Sequence, residues 1–470
     1  MSREPARWPA GRPTGLPSRR QVLAAGAALP LLPLVASLPG CGAPPPRGPN
    51  ILYVLSDSHR ASALGCYGNA DVATPHLDAF AAEGLRLDCA NANTPLCRPY
   101  RASLMTGCHA STHGMVTNVS SRNFAVDDVG QWRPGKLATL GQTLRDAGWD
   151  CGYVGKWHLG HVNRAPGDLR LGFDDHWAAG TYPSHTYWKW TYCTGKDQFV
   201  EGGGRFRPAM EVDLVLDWLR ERRGARPFFC VLSWGPPHDP LEPPDEYKTY
   251  ADVALPPNVP KGAAAHARSV LPLYYALVTA LDHEFGRLLS GLGQLGLADD
   301  TLVVYTSDHG NMLGSKGLEG KEMPYRESTQ VPLLARWPGA LPAGVVSAVP
   351  FGAPDVFPTL CGLAGVRVPS SVQGRDLSAS WRGDPGAPAQ DDVFLQAIET
   401  PLVPFPGWRG LRTGRHLYAA QETGPWLLFD LQADPWQRNN LVDDEPALAQ
   451  EFHQRTLAAM ARLGDRWRPS

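Results

Sequence analysis

The sequence has no excess of either charge, no internal repeat and no long apolar run beyond its first residues. Its 46 acidic side chains nearly balance its 44 basic ones, so we expect no nucleic-acid binding and no general attraction to an anionic membrane. Any anionic ligand must therefore be bound by local charges. Glycine and proline are plentiful, at 49 and 45 residues, but they lie between apolar runs, which favours a loop-rich globular protein over a low-complexity chain.

Residues 1–48 are typical of a targeting segment rather than of a fold. Arg19 and Arg20 precede a short apolar stretch broken by prolines, as in a twin-arginine signal. The sequence "LPGC", which ends at Cys41, resembles the site at which bacterial lipoproteins are cleaved and lipidated. We expect an exported bacterial protein that uses the twin-arginine machinery, is periplasmic or at the cell surface, and meets the membrane only through a lipid on Cys41. Simple cleavage of the signal is the alternative.

Nine cysteines in an exported chain suggest disulfides. The twin-arginine route argues against a firm prediction, because it carries proteins that have already folded in a reducing cytoplasm. With Cys41 and Cys97 set aside, seven of the nine cysteines are left. The sequence does not predict how they would pair.

Four apolar runs end in polar residues, and this is the main structural signal. They are "NILYVLSD" ending at Asp57, "CGYVGKWHLG" with Lys156 and His158, "PFFCVLSWGPPHDP" with His238, and "TLVVYTSDHGN" with Asp308 and His309. Continuous runs of this kind, separated by amphipathic helical stretches, predict buried parallel strands. Ligands of such sheets bind beyond the carboxyl ends of the strands, so we expect these polar residues to converge on one pocket.

The predicted fold class is α/β, with a large, mostly parallel central sheet flanked by helices and a smaller C-terminal α+β subdomain. The length of 470 residues exceeds that at which one hydrophobic core usually stops growing. We therefore predict a large domain over residues 49–385 and a subdomain over residues 386–470, packed near the mouth of the expected pocket. An amphipathic helix is expected near the C-terminus.

The stretch "PLCRPYRASLMTG" places Cys97 near the start of a predicted helix. Pro99 suits an early helical position, and the free amides and dipole of a helix N-terminus favour negative charge. A reactive thiolate is one interpretation, but it leaves the fixed spacing to Pro99 and Arg101 without a purpose. A small buried hydrophobe is the plainer one.

The sequence "CRPYR" resembles the Cys-x-Pro-x-Arg signature of type I sulfatases, members of the alkaline phosphatase-like superfamily. In that family a formylglycine-generating maturation enzyme reads this spacing and oxidises the cysteine to formylglycine. Further motifs are similar in the same order along the chain: "GPNILYVLSDSHRASALGCYGN", "GYVGKWHLG", "TLVVYTSDHGNMLGSKGLEGK" and the closing "LFDLQADPWQRNNLVDD". The resemblance covers almost the whole chain after the targeting segment and implies the sulfatase fold and sulfate ester hydrolysis.

The resemblance also implies a mechanism in which the aldehyde made from Cys97 is hydrated to a diol. One hydroxyl attacks sulfur, and the other expels sulfate as the aldehyde re-forms. Arg101 would steady the diol, Lys156 and Lys321 would contact the sulfate oxygens, His158 would move protons at the diol, and His238 would protonate the leaving oxygen.

A divalent metal is implied by the same resemblance, held by Asp57, Asp308 and His309 together with the residue at Cys97. It would lower the pKa of the attacking hydroxyl and draw charge from the sulfate. Oxygen-rich ligation favours Ca²⁺, with Mg²⁺ and Mn²⁺ as alternatives because His309 adds a nitrogen.

Four positions depart from the family pattern. Ser58 stands where a second acidic or amide residue is usual, so either its hydroxyl or a water would complete the metal site. Tyr100 stands where a small residue is commoner, Cys108 replaces an arginine, and Asn311 replaces a frequent acidic residue. None of these removes an indispensable group, and an active enzyme with an altered pocket is expected.

The substrate is predicted only as a sulfated small molecule or glycan. The aromatic residues between His176 and Gly195 would either stack on sugar rings or pack against the sheet. Two other functions stay open at this point. One is phosphonate or phosphate ester hydrolysis, and the other is non-catalytic glycan binding at the surface, which Ser58 motivates.

Overall fold

A computed structural model describes residues 48–118, 137–159, 169–180, 186–196, 198–222, 226–398 and 407–467. Arg19, Arg20 and Cys41 lie outside these ranges, so export and lipid attachment stay predictions. None of the helices in the described ranges combines the length and the hydropathy needed to cross a bilayer. The eight cysteines in these ranges are free thiols.

The strands are short to medium in length, and several begin or end at residues singled out above. They are β1 (Asn50–Asp57), β2 (Leu85–Leu87), β3 (Ala90–Asn91), β4 (Asp150–Lys156), β5 (His176–Gly180), β6 (Thr191–Thr194), β7 (Phe199–Glu201), β8 (Phe228–Pro237), β9 (Thr301–Ser307), β10 (Leu333–Arg336), β11 (Val345–Ser347), β12 (Phe351–Gly352), β13 (Asp392–Ala397), β14 (Trp408–Thr413), β15 (His416–Gln421) and β16 (Gly424–Asp430).

The α-helices alternate with the strands over most of the chain. They are α1 (Pro75–Ala82), α2 (Cys97–Thr106), α3 (Ala110–His113), α4 (Leu140–Asp146), α5 (Arg207–Glu221), α6 (Ala264–Gln294), α7 (Arg326–Thr329), α8 (Ala353–Ala364), α9 (Ser378–Arg382) and α10 (Pro446–Leu463). Short 3-10 helices span Ala61–Ala63, Gly65–Tyr67, Asp245–Tyr247, Lys261–Ala263 and Ser315–Gly317.

A ten-stranded sheet has the order β11-β2-β10-β9-β1-β8-β4-β5-β6-β7. Its five central strands, from β9 to β5, are parallel. Antiparallel pairs join β10 to both β9 and β2 on one side, and β6 to both β5 and β7 on the other. The predicted mostly parallel sheet is confirmed, and the carboxyl ends of β9, β1, β8 and β4 lie side by side.

The sheet is buried on both faces, and this explains the continuous apolar runs in the sequence. Along β1, Ile51 and Tyr53 contribute to one core cluster, whereas Leu52 and Val54 contribute to the cluster on the opposite face. The first cluster includes residues of α2, α4 and α8, and the second includes residues of α1, α5 and α6. Side chains alternate between faces along a strand. A strand that is covered by helices on both faces therefore needs apolar residues at consecutive positions.

A separate antiparallel sheet of β13, β14, β15 and β16 follows near the C-terminus. Phe394, Tyr418 and Leu428 of this sheet pack against Phe452 and Met460 of α10, so the predicted α+β subdomain and its amphipathic helix are confirmed. The sheet also contacts the site region, because Trp408 Nε1 donates to the Glu322 carbonyl oxygen over 2.8 Å. The predicted boundary between residues 385 and 386 stays a prediction.

Candidate active site

Two neighbouring parallel strands deliver the carboxylates of the site. Asp57 is the last residue of β1, and Asp308 follows the last residue of β9. Ser56 pairs in register with Ser307, so the two aspartates emerge next to each other at the carboxyl edge of the sheet. Both side chains are fully buried.

Arg101, which is buried in α2, joins these carboxylates to the neighbouring strands. Its Nη2 lies 3.0 Å from Asp57 Oδ2 and 2.9 Å from Asp308 Oδ2, and its Nε lies 3.1 Å from the same Asp308 oxygen. Its Nη1 donates to the Lys156 carbonyl oxygen over 3.0 Å and to Ser233 Oγ over 2.7 Å. One guanidinium therefore joins the carboxyl ends of β1, β4 and β9 to the middle of β8. Its role at the diol stays a prediction.

Lys156 ends β4, and its buried ammonium donates to Asp57 Oδ2. The preceding Gly155 has a φ of +104°, and a Cβ at this position would collide with the carbonyl oxygen of Ser233. Only glycine tolerates this backbone conformation and close approach, which explains the glycine of "GYVGKWHLG". Lys156 thus lies beneath the site against Asp57, and its predicted contact with a sulfate oxygen stays a prediction.

Cys97 is the first residue of α2, as the sequence predicts, and it is buried. Its Sγ lies 3.0 Å from His309 Nε2, 3.3 Å from Lys321 Nζ and 3.8 Å from Asp57 Oδ1. Burial opposes ionisation of the thiol, but Lys156, Lys321 and His309 outweigh it and hold the pKa of Cys97 well below its usual value. The position therefore stabilises negative charge on whatever group residue 97 carries.

Asp57, Cys97, Asp308 and His309 together offer donor atoms for a cation. One atom from each lies within 4.8 Å of the other three, and all four side chains are buried. Burial raises the pKa of Asp308, and the Asp57 carboxylate adds to this effect. A divalent cation would offset the repulsion of the crowded carboxylates, so the donor set fits the implied metal.

Lys321, His238 and His158 are half-buried and form the rim of the site, above the buried residues. Lys321 Nζ lies 2.8 Å from His238 Nε2 and also contacts Cys97. The interaction with Cys97 and the two aspartates outweighs burial and raises the pKa of Lys321. Lys321 therefore stays positively charged beside residue 97.

His158 lies near Cys97 at the rim and favours negative charge on that residue. Burial and the charge of Lys156 lower the pKa of His158 to about 3, so the imidazole is neutral at physiological pH. A neutral imidazole can accept a proton from a hydroxyl at residue 97. The structure thus brings all nine predicted site residues to one edge of the sheet, although their individual roles stay predictions.

Two of the departures from the family pattern have a local explanation. Ser58 adopts a φ of +64°, its amide donates to Asp308 Oδ1 and its hydroxyl to Asp57 Oδ1, each over 3.2 Å. Ser58 therefore orients both carboxylates. Tyr100 is buried in the first core cluster, which also contains Tyr53, so its bulk lies in the core.

Three residues near the site were missed by sequence reasoning. Ser233 accepts from Arg101 in the middle of β8, and the hydroxyl of Tyr187 donates to the carbonyl oxygen of His238. Glu322 has a φ of +80° next to Lys321, and burial raises its pKa to about 7. A lone serine inside the apolar run "FFCVLSWG" was the one available signal, since buried polar groups need partners.

The aromatic stretch between His176 and Gly195 packs inward over most of its described length. Trp177, Tyr187 and Trp190 are each less than 5% exposed, and Trp188 is half-buried with its ring 5.5 Å from that of Phe206. Trp177 and Trp190 belong to the two clusters on the faces of the sheet, whereas Tyr187 and Trp188 pack with Phe206 and with Leu277 of α6.

Comparisons with known proteins agree with this geometry. The sulfatase family profile matches residues 49–366, and a profile for the C-terminal part of N-sulphoglucosamine sulphohydrolase matches residues 314–462. The ulvan-active sulfatase of Formosa agariphila is 34% identical over 443 residues, covering 90% of this chain and 83% of that protein. The endo-4-O-sulfatase of Bacteroides thetaiotaomicron is 29% identical over 501 residues, covering 91% and 96% respectively.

Solved structures match over a similar length. The structure of yidJ from Bacteroides fragilis has a TM-score of 0.81 at 29% identity and covers 91% of this chain and 98% of its own. The phosphonate monoester hydrolase of Agrobacterium radiobacter shares the fold, with a TM-score of 0.69 at 21% identity, covering 88% of this chain and 96% of that one. The family match, the sequence relatives and the fold agree: the chain belongs to the sulfatase family of the alkaline phosphatase-like superfamily and is a sulfuric ester hydrolase.

Proposed function

We propose that this enzyme removes sulfate groups from sulfated glycans by means of a formylglycine made from Cys97. The observation that carries the proposal is the position of Cys97, which begins α2 with its Sγ 3.0 Å from His309 Nε2 and 3.3 Å from Lys321 Nζ. The positive charges of Lys156 and Lys321 near residue 97 suit an anionic nucleophile and a sulfate group above it.

The residues around position 97 have different roles in the proposed mechanism. His158, which is neutral at physiological pH, accepts a proton at the hydrated aldehyde. Lys321 is positively charged and lies on the rim, where it contacts a sulfate oxygen. Arg101 and Lys156 hold Asp57 and Asp308 in place, because their charges are paired with these carboxylates.

A divalent cation fits the cluster of Asp57, Asp308, His309 and residue 97. Once residue 97 carries oxygen in place of sulfur, His309 supplies the single nitrogen of an otherwise oxygen-rich set, which favours Ca²⁺. When bound, such a cation supplies Lewis acidity to the oxygens at residue 97 and the sulfate. His309 Nδ1 lies 2.8 Å from the Gly310 carbonyl oxygen, which leaves Nε2 to face the cluster.

The glycan part of the proposal is supported by the relatives. One is named for activity on ulvan, another is an endo-4-O-sulfatase and a third is an N-acetylglucosamine-6-O-sulfatase. The proposal is tested by sulfate release from ulvan and glycosaminoglycan oligosaccharides, with nitrophenyl sulfate and a nitrophenyl phosphonate ester as references. We expect faster turnover of a sulfated oligosaccharide than of the phosphonate. Faster phosphonate turnover would favour the rival hydrolase, and binding without turnover by a matured protein would favour the non-catalytic alternative.

Replacing Lys321 by alanine is expected to lower kcat/KM for nitrophenyl sulfate by about 10²–10³-fold, the usual effect of removing one group that stabilises transition-state charge. Lys321→Arg should retain part of the activity because the positive charge is kept. Steady-state kinetics check this, with Lys261→Ala, an exposed lysine, as the matched control. A Lys321→Ala enzyme as active as the control would remove Lys321 from the proposed mechanism.

Replacing His238 by alanine is expected to depend on the leaving group. A sugar alkoxide needs a proton as it leaves, so kcat/KM for a sulfated sugar should fall by about 10²–10⁴-fold. Nitrophenolate leaves without a proton, so nitrophenyl sulfate should be affected far less. The measurement compares both substrates, with the exposed His283→Ala as control. Equal losses on both substrates would exclude His238 as the proton donor.

We also propose that the enzyme is exported and held at the membrane by a lipid on Cys41. The support is the twin arginine at Arg19 and Arg20 followed by "LPGC". Cell fractionation of the full-length protein should place it in the membrane fraction, and Cys41→Ala should move it to the soluble periplasmic fraction. Wild-type protein in the soluble fraction would instead indicate that the signal is cleaved and that no lipid is attached.

A further inference from the structure

A cavity of about 480 Å³ lies apart from the catalytic residues. None of the nine residues assigned to the catalytic centre lines it. Its walls include Arg60, Arg326, Tyr67, Tyr275 and Trp436. Small-molecule sites usually measure roughly 300–1,000 Å³, so this cavity is large enough for a sugar residue with a substituent.

Two guanidiniums line this cavity without a matching carboxylate. Arg60 is 1% exposed, and its Nε and Nη1 donors have no hydrogen-bond partner among the described residues. Its guanidinium lies 5.9 Å from the ring centroid of Tyr274, and this contact leaves the two donors unpaired among the described residues. An unpaired buried donor carries a large desolvation cost, so a ligand that accepts from Arg60 would recover that cost.

Arg326 is the second cation. Its Nη1 donates to the Pro435 carbonyl oxygen over 2.6 Å, and its guanidinium lies 5.4 Å from the ring centroid of Trp436. Burial lowers the pKa of Arg326, and although Glu327 opposes this, the charges of Arg412 and Arg60 add to it. Within the described ranges neither Arg60 nor Arg326 forms an ion pair with a carboxylate.

The mouth of the cavity is open to solvent and carries little opposing charge. Gly68, Ala70, Ala254 and Pro257 at its edge are exposed. The one carboxylate there, Asp71, accepts a hydrogen bond from the Ala254 amide over 2.9 Å. The cavity thus carries one negative charge at its rim, on Asp71, and two positive charges in its walls, on Arg60 and Arg326.

We propose that this cavity is a second binding site for a sulfated sugar, separate from the catalytic centre. The sulfate group accepts from Arg60 and Arg326, since guanidiniums match the geometry of oxyanions. The sugar ring lies among Tyr67, Tyr275 and Trp436, whose rings combine an apolar face with a polar atom. The choice of a sulfate ester over another oxyanion rests on the proposed glycan substrate.

The test is isothermal titration of galactose 6-sulfate, galactose and sodium sulfate into the full-length Cys97→Ala/Lys321→Ala protein. This background cannot be matured and lacks the rim cation of the catalytic centre. We expect saturable binding of galactose 6-sulfate and no measurable binding of galactose. Because binding is measured without turnover, failure of the proposed catalytic function and failure of this site give different results.

Three further variants in the same background locate the site. Arg326→Gln removes one charge-assisted hydrogen-bond donor and should weaken binding about ten-fold or more. Ala254→Trp keeps both arginines, fills the mouth from an exposed position and should weaken binding similarly. Arg367→Gln, at an exposed arginine elsewhere, should change nothing and controls for net charge.

Absence of binding, or binding that both Arg326→Gln and Ala254→Trp leave unchanged, would overturn the proposal. Sodium sulfate that binds as tightly as galactose 6-sulfate would also overturn it, because the ligand would then be the free anion. Melting curves by circular dichroism confirm that each variant is folded before it is titrated. Arg60 is left intact throughout, since its burial next to Ser58 and His59 makes substitution there a risk to folding.

Discussion

Substitution of Cys97 by alanine is expected to lower kcat/KM for nitrophenyl sulfate by about 10⁴-fold or more, because removal of a nucleophile typically costs this much. The substitution removes the precursor of the aldehyde. The cationic side chains around position 97 then have no nucleophile to activate. The protein should still fold, since Cys97 makes its contacts through a single sulfur atom. Initial rates for protein purified from cells with an active maturation enzyme check this.

Cys108→Ala is the matched control for this substitution. Cys108 is also fully buried, but its Sγ donates to the Ser371 carbonyl oxygen over 3.1 Å and lies outside the donor cluster. Its activity should stay close to that of the wild type. A Cys97→Ala enzyme that retains substantial turnover would contradict the assignment of the nucleophile.

Cys97→Ser is expected to give a different defect, because a serine hydroxyl can attack sulfur but cannot collapse to an aldehyde. We expect at most a single turnover and a protein heavier by one SO₃ group, which intact mass spectrometry would detect. Steady turnover by the serine variant would show that the second hydroxyl of the diol is not required.

Substitution of Asp308 by alanine is expected to abolish stabilisation by Ca²⁺ and to lower kcat/KM by at least about 10²-fold. Asp308 supplies one of the four clustered donors, so its loss weakens binding of the cation. Binding to the folded state alone stabilises a protein, by about 2.7 kcal/mol at a ligand concentration 100 times Kd. The Tm of the wild type should therefore rise with Ca²⁺ after removal of bound metal by EDTA, whereas that of Asp308→Ala should not.

A loss of stability in the absence of metal is expected as well. Arg101 donates twice to Asp308 and once to Asp57, and removal of one partner of a buried ion pair typically costs about 3–5 kcal/mol. Asp282→Asn is the control, because Asp282 is a buried carboxylate outside the cluster. That variant should keep the response to Ca²⁺. A Ca²⁺ response of Asp308→Ala equal to that of the wild type would exclude the proposed metal site.

The central sheet was predictable from the sequence because its strands are buried on both faces. A strand such as β1, with helices against both sides, requires an unbroken apolar run, and the polar residue that ends the run marks the edge of the sheet. Asp57, Lys156 and Asp308 were therefore placed together by pattern alone. The position of Cys97 near the start of α2 followed from Pro99, which suits an early helical position, and from the helical stretch after it.

The remaining details depend on contacts between distant parts of the chain, which local patterns do not encode. Arg101 and Ser233 are 132 residues apart in the sequence. The sequence near either residue does not indicate that their side chains form a hydrogen bond with each other. The left-handed backbone of Ser58 and Glu322 is likewise imposed by the surrounding structure, since neither residue type favours it. The sequence does not predict the inward packing of Tyr187 and Trp190 for the same reason, because an aromatic residue suits a sugar and a core equally well.

The most direct test of formylglycine at position 97 is the mass of the tryptic peptide that carries Cys97, taken from protein made with an active formylglycine-generating enzyme. We expect a peptide in which the thiol has become an aldehyde, together with sulfate release by the same preparation. A peptide that keeps its thiol while the preparation hydrolyses sulfate esters would contradict the proposed nucleophile.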